Sequence, residues 1–327
     1  MRSSQCPFCD TEYREFMPIS RRSFAGLAGL AGFAALFAAG AAGCSGGGDG
    51  SRELRLATGL AGGPYGALGD RLAEELRRGG LGVRVLPTAA SVQNLTMMTD
   101  GRADVGFALA DSADDAVRVR HQPVSALARM YMNYVHLVVG TDSEITAVGG
   151  LAGRAVSIGV EGSGTAVTAT RVLAAARLRR PPRITRLGLD ASIGALRAGR
   201  VEAFFWSGGV PTPALAELAG IRLLPLESLV PVLRREFGPV YEDATVPARA
   251  YGGPRAVPTV GTPSYLMCRT SLPDDLAYTI TETLFTARDR LQAPSAPGGR
   301  LDRRYAIGTG VVPLHAGAAR YYRSVYG

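Results

Sequence analysis

A strand, a glycine-rich turn and the first turn of a helix are written into Arg154-Ala-Val-Ser-Ile-Gly-Val-Glu-Gly-Ser-Gly-Thr165, and the unit occurs twice in the chain. Val156 and Ile158 suit a buried strand, Gly159, Gly162 and Gly164 allow a tight turn, and a helix is expected to continue from Thr165 to Ala176. The earlier copy reads Leu56-Ala-Thr-Gly59, then Leu60-Ala-Gly-Gly-Pro-Tyr65, then a helix from about Ala67 to Arg78. Gly59, Gly62 and Arg71 of the first copy match Gly159, Gly162 and Arg171 of the second. An echo follows each copy, Gly101-Arg-Ala-Asp-Val-Gly-Phe107 and Gly199-Arg-Val-Glu-Ala-Phe-Phe205. A duplication of this kind implies two α/β lobes of similar plan.

From Glu53 onward short apolar strands alternate with amphipathic helices, the pattern of mainly parallel sheets flanked by helices. Strands are expected at Leu54–Thr58, Val83–Thr88, Asp104–Leu109, Arg183–Leu187, Val201–Trp206 and Pro258–Met267. A long one over Ala126–Val139 is expected to cross from one lobe to the other. Helices are expected from Ser91, read as an N-cap, to a stop at Gly101, and over Ser112–Arg120, Asp190–Ala198, Ala214–Ala219 and Leu272–Leu291. A last short helix falls within Pro313–Tyr322. The division that results is lobe 1 from 53–137 and 255–327, and lobe 2 from 138–254.

The glycine turn before Thr165 offers free backbone N–H groups and the hydroxyls of Ser163 and Thr165 to an anion at a helix N-terminus. Gly-Ser-Gly-Thr by itself is more often an ordinary strand-to-helix turn. The matched copy near Gly62 and a third glycine turn, Ser207-Gly-Gly209 before Pro211 and Pro213, raise the binding reading. All three fall at carboxyl ends of strands, where open α/β sheets gather ligands. Trp206 reads as a core residue, and His136, alternating among apolar neighbours, as a satisfied core histidine.

With 46% hydrophobic residues the chain can bury two cores of ordinary domain size. Its net charge of +8 comes from arginines read as scattered along the length, which argues against nucleic acid. There is no lysine, so a Walker phosphate lysine, a Schiff base and a lysine general base are excluded. No His, Cys and acidic cluster has metal-ligand spacing, and no metal or redox cofactor is expected. Cys6-Pro-Phe-Cys9 lacks a second ligand pair and is read as non-functional. Cys268 reads as a buried core thiol.

Residues 1–43 read as an export signal. Ser20-Arg-Arg-Ser-Phe24 is a twin-arginine pattern, an Ala/Gly/Leu-rich run follows, and Ala41-Ala-Gly-Cys44 is a lipobox. Met17 is a second candidate start. Processing before Cys44 would leave a lipid on that cysteine and a flexible tether over 44–52, anchoring the protein to the outer face of the cytoplasmic membrane.

Several motifs taken in order resemble one family, the TAXI group of extracytoplasmic solute receptors, which serve tripartite ATP-independent periplasmic (TRAP) transporters. They are Thr58-Gly-Leu-Ala-Gly-Gly-Pro-Tyr65, Pro87-Thr-Ala-Ala-Ser-Val-Gln-Asn-Leu95, Gly162-Ser-Gly-Thr165, Phe205-Trp-Ser-Gly-Gly-Val-Pro-Thr-Pro213, Thr245-Val-Pro-Ala-Arg-Ala-Tyr251 and Pro313-Leu-His-Ala-Gly-Ala318. The resemblance implies a two-lobed clamshell like that of periplasmic binding proteins, acting on a small carboxylate such as glutamate or 2-oxoglutarate; a monomer is expected. It also implies that Tyr65 covers the ligand, that Ser91, Val92 and Asn94 line it from lobe 1, and that Ser163, Gly164, Thr165, Gly209 and Val210 line it from lobe 2. Gly66, Ala90 and Leu109 depart from the family pattern and imply a pocket less polar on that side.

The expected function is therefore capture of a small anion for a membrane permease, with a sensory subunit for a membrane histidine kinase as the alternative. An extracytoplasmic serine hydrolase using Ser163 is the remote reading. Glu161 and Thr165 stand where a nucleophile elbow needs glycine, and none of His121, His136 and His315 comes with an acid partner.

Overall fold

Both copies of the repeated unit fold to the same local plan. The computed structural model describes residues 53–60, 63–292 and 301–327. Arg21, Arg22, Cys44, Cys6, Cys9 and the tether lie outside the described residues. The first copy is β1 (Leu54–Ala57), α1 (Pro64–Arg78), β2 (Val83–Leu86), α2 (Ser91–Thr99) and β3 (Val105–Leu109). Next, α3 (Ala110–Arg118) leads into the long β4 (Val124–Gly140). The second copy is β5 (Ala155–Ser157), α4 (Gly164–Ala175), β6 (Arg183–Thr185), α5 (Leu189–Arg197) and β7 (Ala203–Gly208). The chain then runs through α6 (Pro213–Ala216), β8 (Ile221–Leu224), α7 (Val230–Phe237) and β9 (Glu242–Val246) to the second long strand, β10 (Val257–Arg269). It closes with α8 (Asp274–Thr286), α9 (Arg303–Ala306) and α10 (Ala316–Tyr326).

The strands form a mixed sheet in the order β2-β1-β3-β10-β4-β7-β5-β6, with β8 on β4 and β9 on β10. The outer triples β2-β1-β3 and β6-β5-β7 are each parallel and mirror one another in sequence order. Between them β4 and β10 pair antiparallel, so the two expected parallel sheets are joined into one by the two strands that cross between the halves. The fold is α/β, a curled sheet flanked by helices.

Local sequence accounts for most elements. Leu68, Leu72 and Leu76 place a buried stripe along α1 at helical spacing. That helix begins at Pro64, ahead of the expected Ala67, because proline at N1 carries a pre-set φ and lacks an N–H that would go unpaired. Ser91 does not cap α2. Ala90 takes the N-cap position at φ 90°, Ser91 opens the helix, and its hydroxyl accepts from Leu109 N at 3.0 Å. The helix expected over Leu272–Leu291 is shorter, and α6 is a single turn. The arginines do gather once: five of the ten residues from Arg177 to Arg186 are arginine. They flank β6, an exposed edge strand, where charge discourages pairing with another chain.

One core lies under α1, α8 and α10 and includes Leu56, Phe107, Leu127, Ile280 and Tyr322. Another lies under α4 and α7 and includes Leu137, Val156, Val172, Phe205 and Tyr241. The paired echoes in the sequence have matching structural roles. Asp104 Oδ2 accepts from Arg55 N at 3.0 Å before β3, and Glu202 Oε2 accepts from Ala155 N at 3.0 Å before β7. Each acid thus clamps the start of the first strand of its own triple.

Candidate functional site

β1 and β5 both run into glycine turns, and the turn into α4 meets the start of α2 where the two halves join. Gly159 has φ 94°, and a Cβ there would come within 2.8 Å of the Thr165 Cβ, so the turn into α4 demands glycine. Gly164 lies at a close approach of the halves, since a Cβ on it would stand 2.5 Å from the Ser91 hydroxyl oxygen of the first copy. Val92 N and Gln93 N donate across the same junction to the Gly162 carbonyl at 3.0 and 3.1 Å. The N-terminus of α2 is therefore answered by a carbonyl from the other half.

Between these turns lies a cavity of about 60 Å³. A single water needs about 10–15 Å³ on that measure, so the space suits a solute of several non-hydrogen atoms and no polymer. Tyr65, Ser91, Ser163, Gly164 and Thr165, which the resemblance implies as ligand contacts, are among its lining residues. Val92, Asn94, Gly209 and Val210 are not among its lining residues. Ser207, from the third glycine turn, lines it too, as do Asn133 and Trp206, which the sequence had not singled out for the site.

The lining residues divide by what their polar atoms already do. Tyr65 stacks on Phe107 at 5.2 Å and its hydroxyl meets Ser264 Oγ at 3.0 Å, so only one side of the ring faces the cavity. Asn133 also donates to Ser264 Oγ. Asn94, fully buried, donates to the carbonyls of Thr58 at 2.6 Å and Phe107 at 2.8 Å, knitting the ends of β1 and β3 below the site. Ser163 is the N-cap of α4: its Oγ accepts from Ala166 N at 3.1 Å and donates to the Val160 carbonyl at 2.7 Å. Both hydrogen bonds of that hydroxyl serve the turn and the helix start. Thr165 Oγ1 accepts from Ser207 N at 3.2 Å and keeps its own hydrogen to give. Ser207 Oγ is buried with no partner among the described residues. The N–H groups of Gly164 and Thr165, ahead of the first intrahelical bond of α4, likewise have no acceptor among the described residues.

The Trp206–Thr212 turn is braced from behind. Trp206 Nε1 donates to Thr212 Oγ1 at 3.1 Å, and Thr212 Oγ1 donates to the Gly209 carbonyl at 2.8 Å. The Thr212 N–H donates to Tyr251 Oη at 2.9 Å, which leaves the tyrosine proton for His136 Nε2, also at 2.9 Å. A neutral ring accepting at Nε2 carries its hydrogen on Nδ1, facing the Trp206 carbonyl at 3.3 Å. Burial lowers the His136 pKa to about 4 and keeps the ring neutral. Trp206, half-buried, packs against the core cluster of Val138, Phe204 and Leu215, as the sequence placed it, and also lines the cavity wall.

The profile of the NMT1-like family matches residues 56–325. The chain belongs to the NMT1-like family. Among solved structures, this NMT1-like chain is similar to the periplasmic aliphatic sulphonate binding protein SsuA from Escherichia coli, at 17% identity over 83% of this chain and 82% of that one, TM-score 0.48. It is also similar to the arginine-bound form of truncated ArgBP from T. maritima, at 13% identity over 72% and 95% of the two chains, TM-score 0.46. A third is the substrate binding protein of an amino acid ABC transporter, at 11% identity over 72% and 93%, TM-score 0.45.

Behind the cavity a polar cluster ties the halves of this NMT1-like chain together. Arg171 of α4 pairs with Asp115 of α3 and donates to Tyr241 Oη at 3.0 Å. Asp111 Oδ2 accepts from Thr168 Oγ1 at 2.6 Å and from Tyr241 Oη at 3.1 Å, while its Oδ1 accepts from Ser112 N at 2.6 Å. Burial pushes the Asp111 carboxyl above the usual carboxylate range, against the pull of Arg171 and these donors. The acid is consumed by the junction and offers nothing to a ligand.

Proposed function

We propose that the protein is an extracytoplasmic solute-binding lipoprotein that captures a small organic anion between lobes 53–137 with 255–327 and 138–254, and passes it to a TRAP-type permease. One observation carries the reading: a cavity of solute size lies between the two copies of the strand-turn-helix unit, and unpartnered N–H groups of α4 start at its wall. Helix N-termini favour negative charge, and a hydrogen bond to a charged group contributes roughly 1.5–3 kcal/mol. The membership of the NMT1-like family and the ordered TAXI motifs support the same role, and the lipobox at Cys44 supports an anchor. A genomic neighbour encoding a permease favours transport; a lone histidine kinase gene favours the sensory alternative.

Calorimetric titration of organic acids into the mature chain tests the reading. One acid is expected to bind at one site per chain, and Thr165→Val is expected to weaken it about tenfold, the equivalent of 1.4 kcal/mol. Binding confined to neutral or cationic solutes would refute it. Labelling cells with a lipid precursor tests the anchor: label is expected in the wild type and absent from Cys44→Ala.

A further inference from the structure

Among the described residues lining the cavity there is no Arg, His, Asp or Glu, and the chain has no Lys. Its wall is built instead from apolar side chains, among them Leu60, Leu109, Val160, Leu187, Leu189 and Trp206, with a few hydroxyls and backbone groups on one side. The nearby ionisable groups are already committed. Asp111, two residues beyond Leu109, receives hydrogen bonds on both oxygens, and the His136 ring is held neutral between Tyr251 and the Trp206 carbonyl.

The hydroxyl side of this wall offers several hydrogens to give. Ser207 is 8% exposed, its Oγ has no partner among the described residues, and it lines the cavity next to Thr165, whose hydroxyl hydrogen is also free to be given. The N–H groups of Gly164 and Thr165 open the twelve-residue α4 on the same wall. Such a set suits a carboxylate or sulfonate, which accepts several hydrogen bonds at once. For an ammonium group it has no carboxylate and, among side-chain amides, only the oxygen of Asn133, whereas a buried cation needs a carboxylate or a dense set of acceptors to replace its water.

Resting on the solute-binding reading above, we propose that this cavity selects small organic acids with an uncharged, mainly apolar body and rejects the α-amino acids of the same skeleton. The carboxylate takes the Ser207 and Thr165 donors, and the apolar body lies against Leu109, Leu187 and Leu189. Glutamate is thereby disfavoured, and acids without a positive charge are favoured.

The test is titration of the mature chain with matched pairs that differ in the amino group: 4-methylpentanoate with leucine, glutarate with glutamate, and 2-oxoglutarate with glutamate. The best-bound acid is expected to bind at least tenfold more tightly than its amino counterpart. Ser207→Ala is expected to weaken that acid severalfold while leaving thermal unfolding unchanged, since the hydroxyl has no protein partner to lose. An amino acid that binds as tightly as its partner, with binding otherwise intact, overturns the selectivity alone. An unchanged affinity in Ser207→Ala overturns the donor assignment. If no member of any pair binds, the cavity is not a solute site and the reading beneath the selectivity falls with it.

Discussion

Arg71 and Arg171 occupy the same position in the two copies of the strand-turn-helix unit, and their environments are opposite. Arg71, on α1, is exposed. The Arg171 side chain, on α4, is 12% exposed and joined to Asp115 and Tyr241, with its guanidinium also over the Phe237 ring at 4.9 Å. The difference follows from what each helix covers. α1 lies against α8 at the outer side of the first triple, whereas α4 faces α3 of the other copy. The acid clamps differ in the same way. Asp104 is buried and bonded by Arg55 and by Arg269 of β10, while Glu202 is one-third exposed and bonded within its own neighbourhood by Arg154. Duplication sets the backbone plan, and the junction between copies decides which side chains carry energy.

The sharpest way to break this comparison is a pair of matched substitutions. Arg171→Ala removes the partly buried cation that pairs with Asp115, donates to Tyr241 and offsets the buried Asp111, and is expected to cost about 3–5 kcal/mol in denaturant unfolding. Arg71→Ala is expected to stay within about 0.5 kcal/mol of wild type. Equal effects would show that the copies are energetically equivalent.

A pH series separates the halves next. His136 lies on β4 against β7, and its folded pKa of about 4 is below the ordinary 6.5, so the unfolded chain binds the extra proton between those values. Stability from this group is therefore complete above about pH 6.5 and is lost as the pH falls toward 4, by an amount on the order of 3 kcal/mol. The wild-type acid limit should exceed that of His136→Gln in slope over this window. Asp104 acts lower: burial raises its pKa, but the bonds and charge of Arg55 and Arg269 more than offset this, so its contribution is lost only below the usual carboxylate range. A wild-type slope matched by the His136 variant would remove the distinction.

Smaller effects concern the turns. Ser163→Ala removes the cap of α4 and is expected to lower stability by about 1 kcal/mol, while α1, which starts at Gly63 without a side-chain cap, has no equivalent to lose. Glu202→Gln, keeping one acceptor for Ala155 N, should cost below about 1 kcal/mol. A larger loss than for Asp104→Asn would reverse the ranking of the clamps.

The repeat, the long crossing strand and most strand and helix positions are legible in the sequence because each copy carries its own glycine turn and apolar pattern. The stretch from Ile221 to Val246 is not. β8, α7 and β9 are short, punctuated by Pro225, Pro231 and Pro239, and β9 alternates half-exposed and exposed residues until Val246. Their pairing with β4 and β10 comes from tertiary context. In the site, the Ser163–Thr165 turn is legible because glycines mark a helix start, whereas Tyr65 and Ser91 are reached only through the family resemblance. Ser207 is legible as the start of the third glycine turn, but Asn133 is hidden inside a strand, where alternation tells which face a residue takes but not that the sheet leaves a cavity there. A lone amide among the apolar neighbours of Asn133 was the available signal. The role of Ser163 as a cap could be told from a ligand contact only once Val160 and Ala166 were in place.

The two long strands have a consequence for how the molecule comes apart. β4 and β10 are hydrogen-bonded from Val124–Arg269 to Tyr134–Gly261, with register shifts only at Pro263/Tyr265 and Leu266/Met267, and each also pairs with an outer triple. Neither half can melt without stripping a partner from the strand the other half depends on. Heat or denaturant should therefore meet one cooperative transition across both copies, seen alike by the Trp206 signal and by backbone probes.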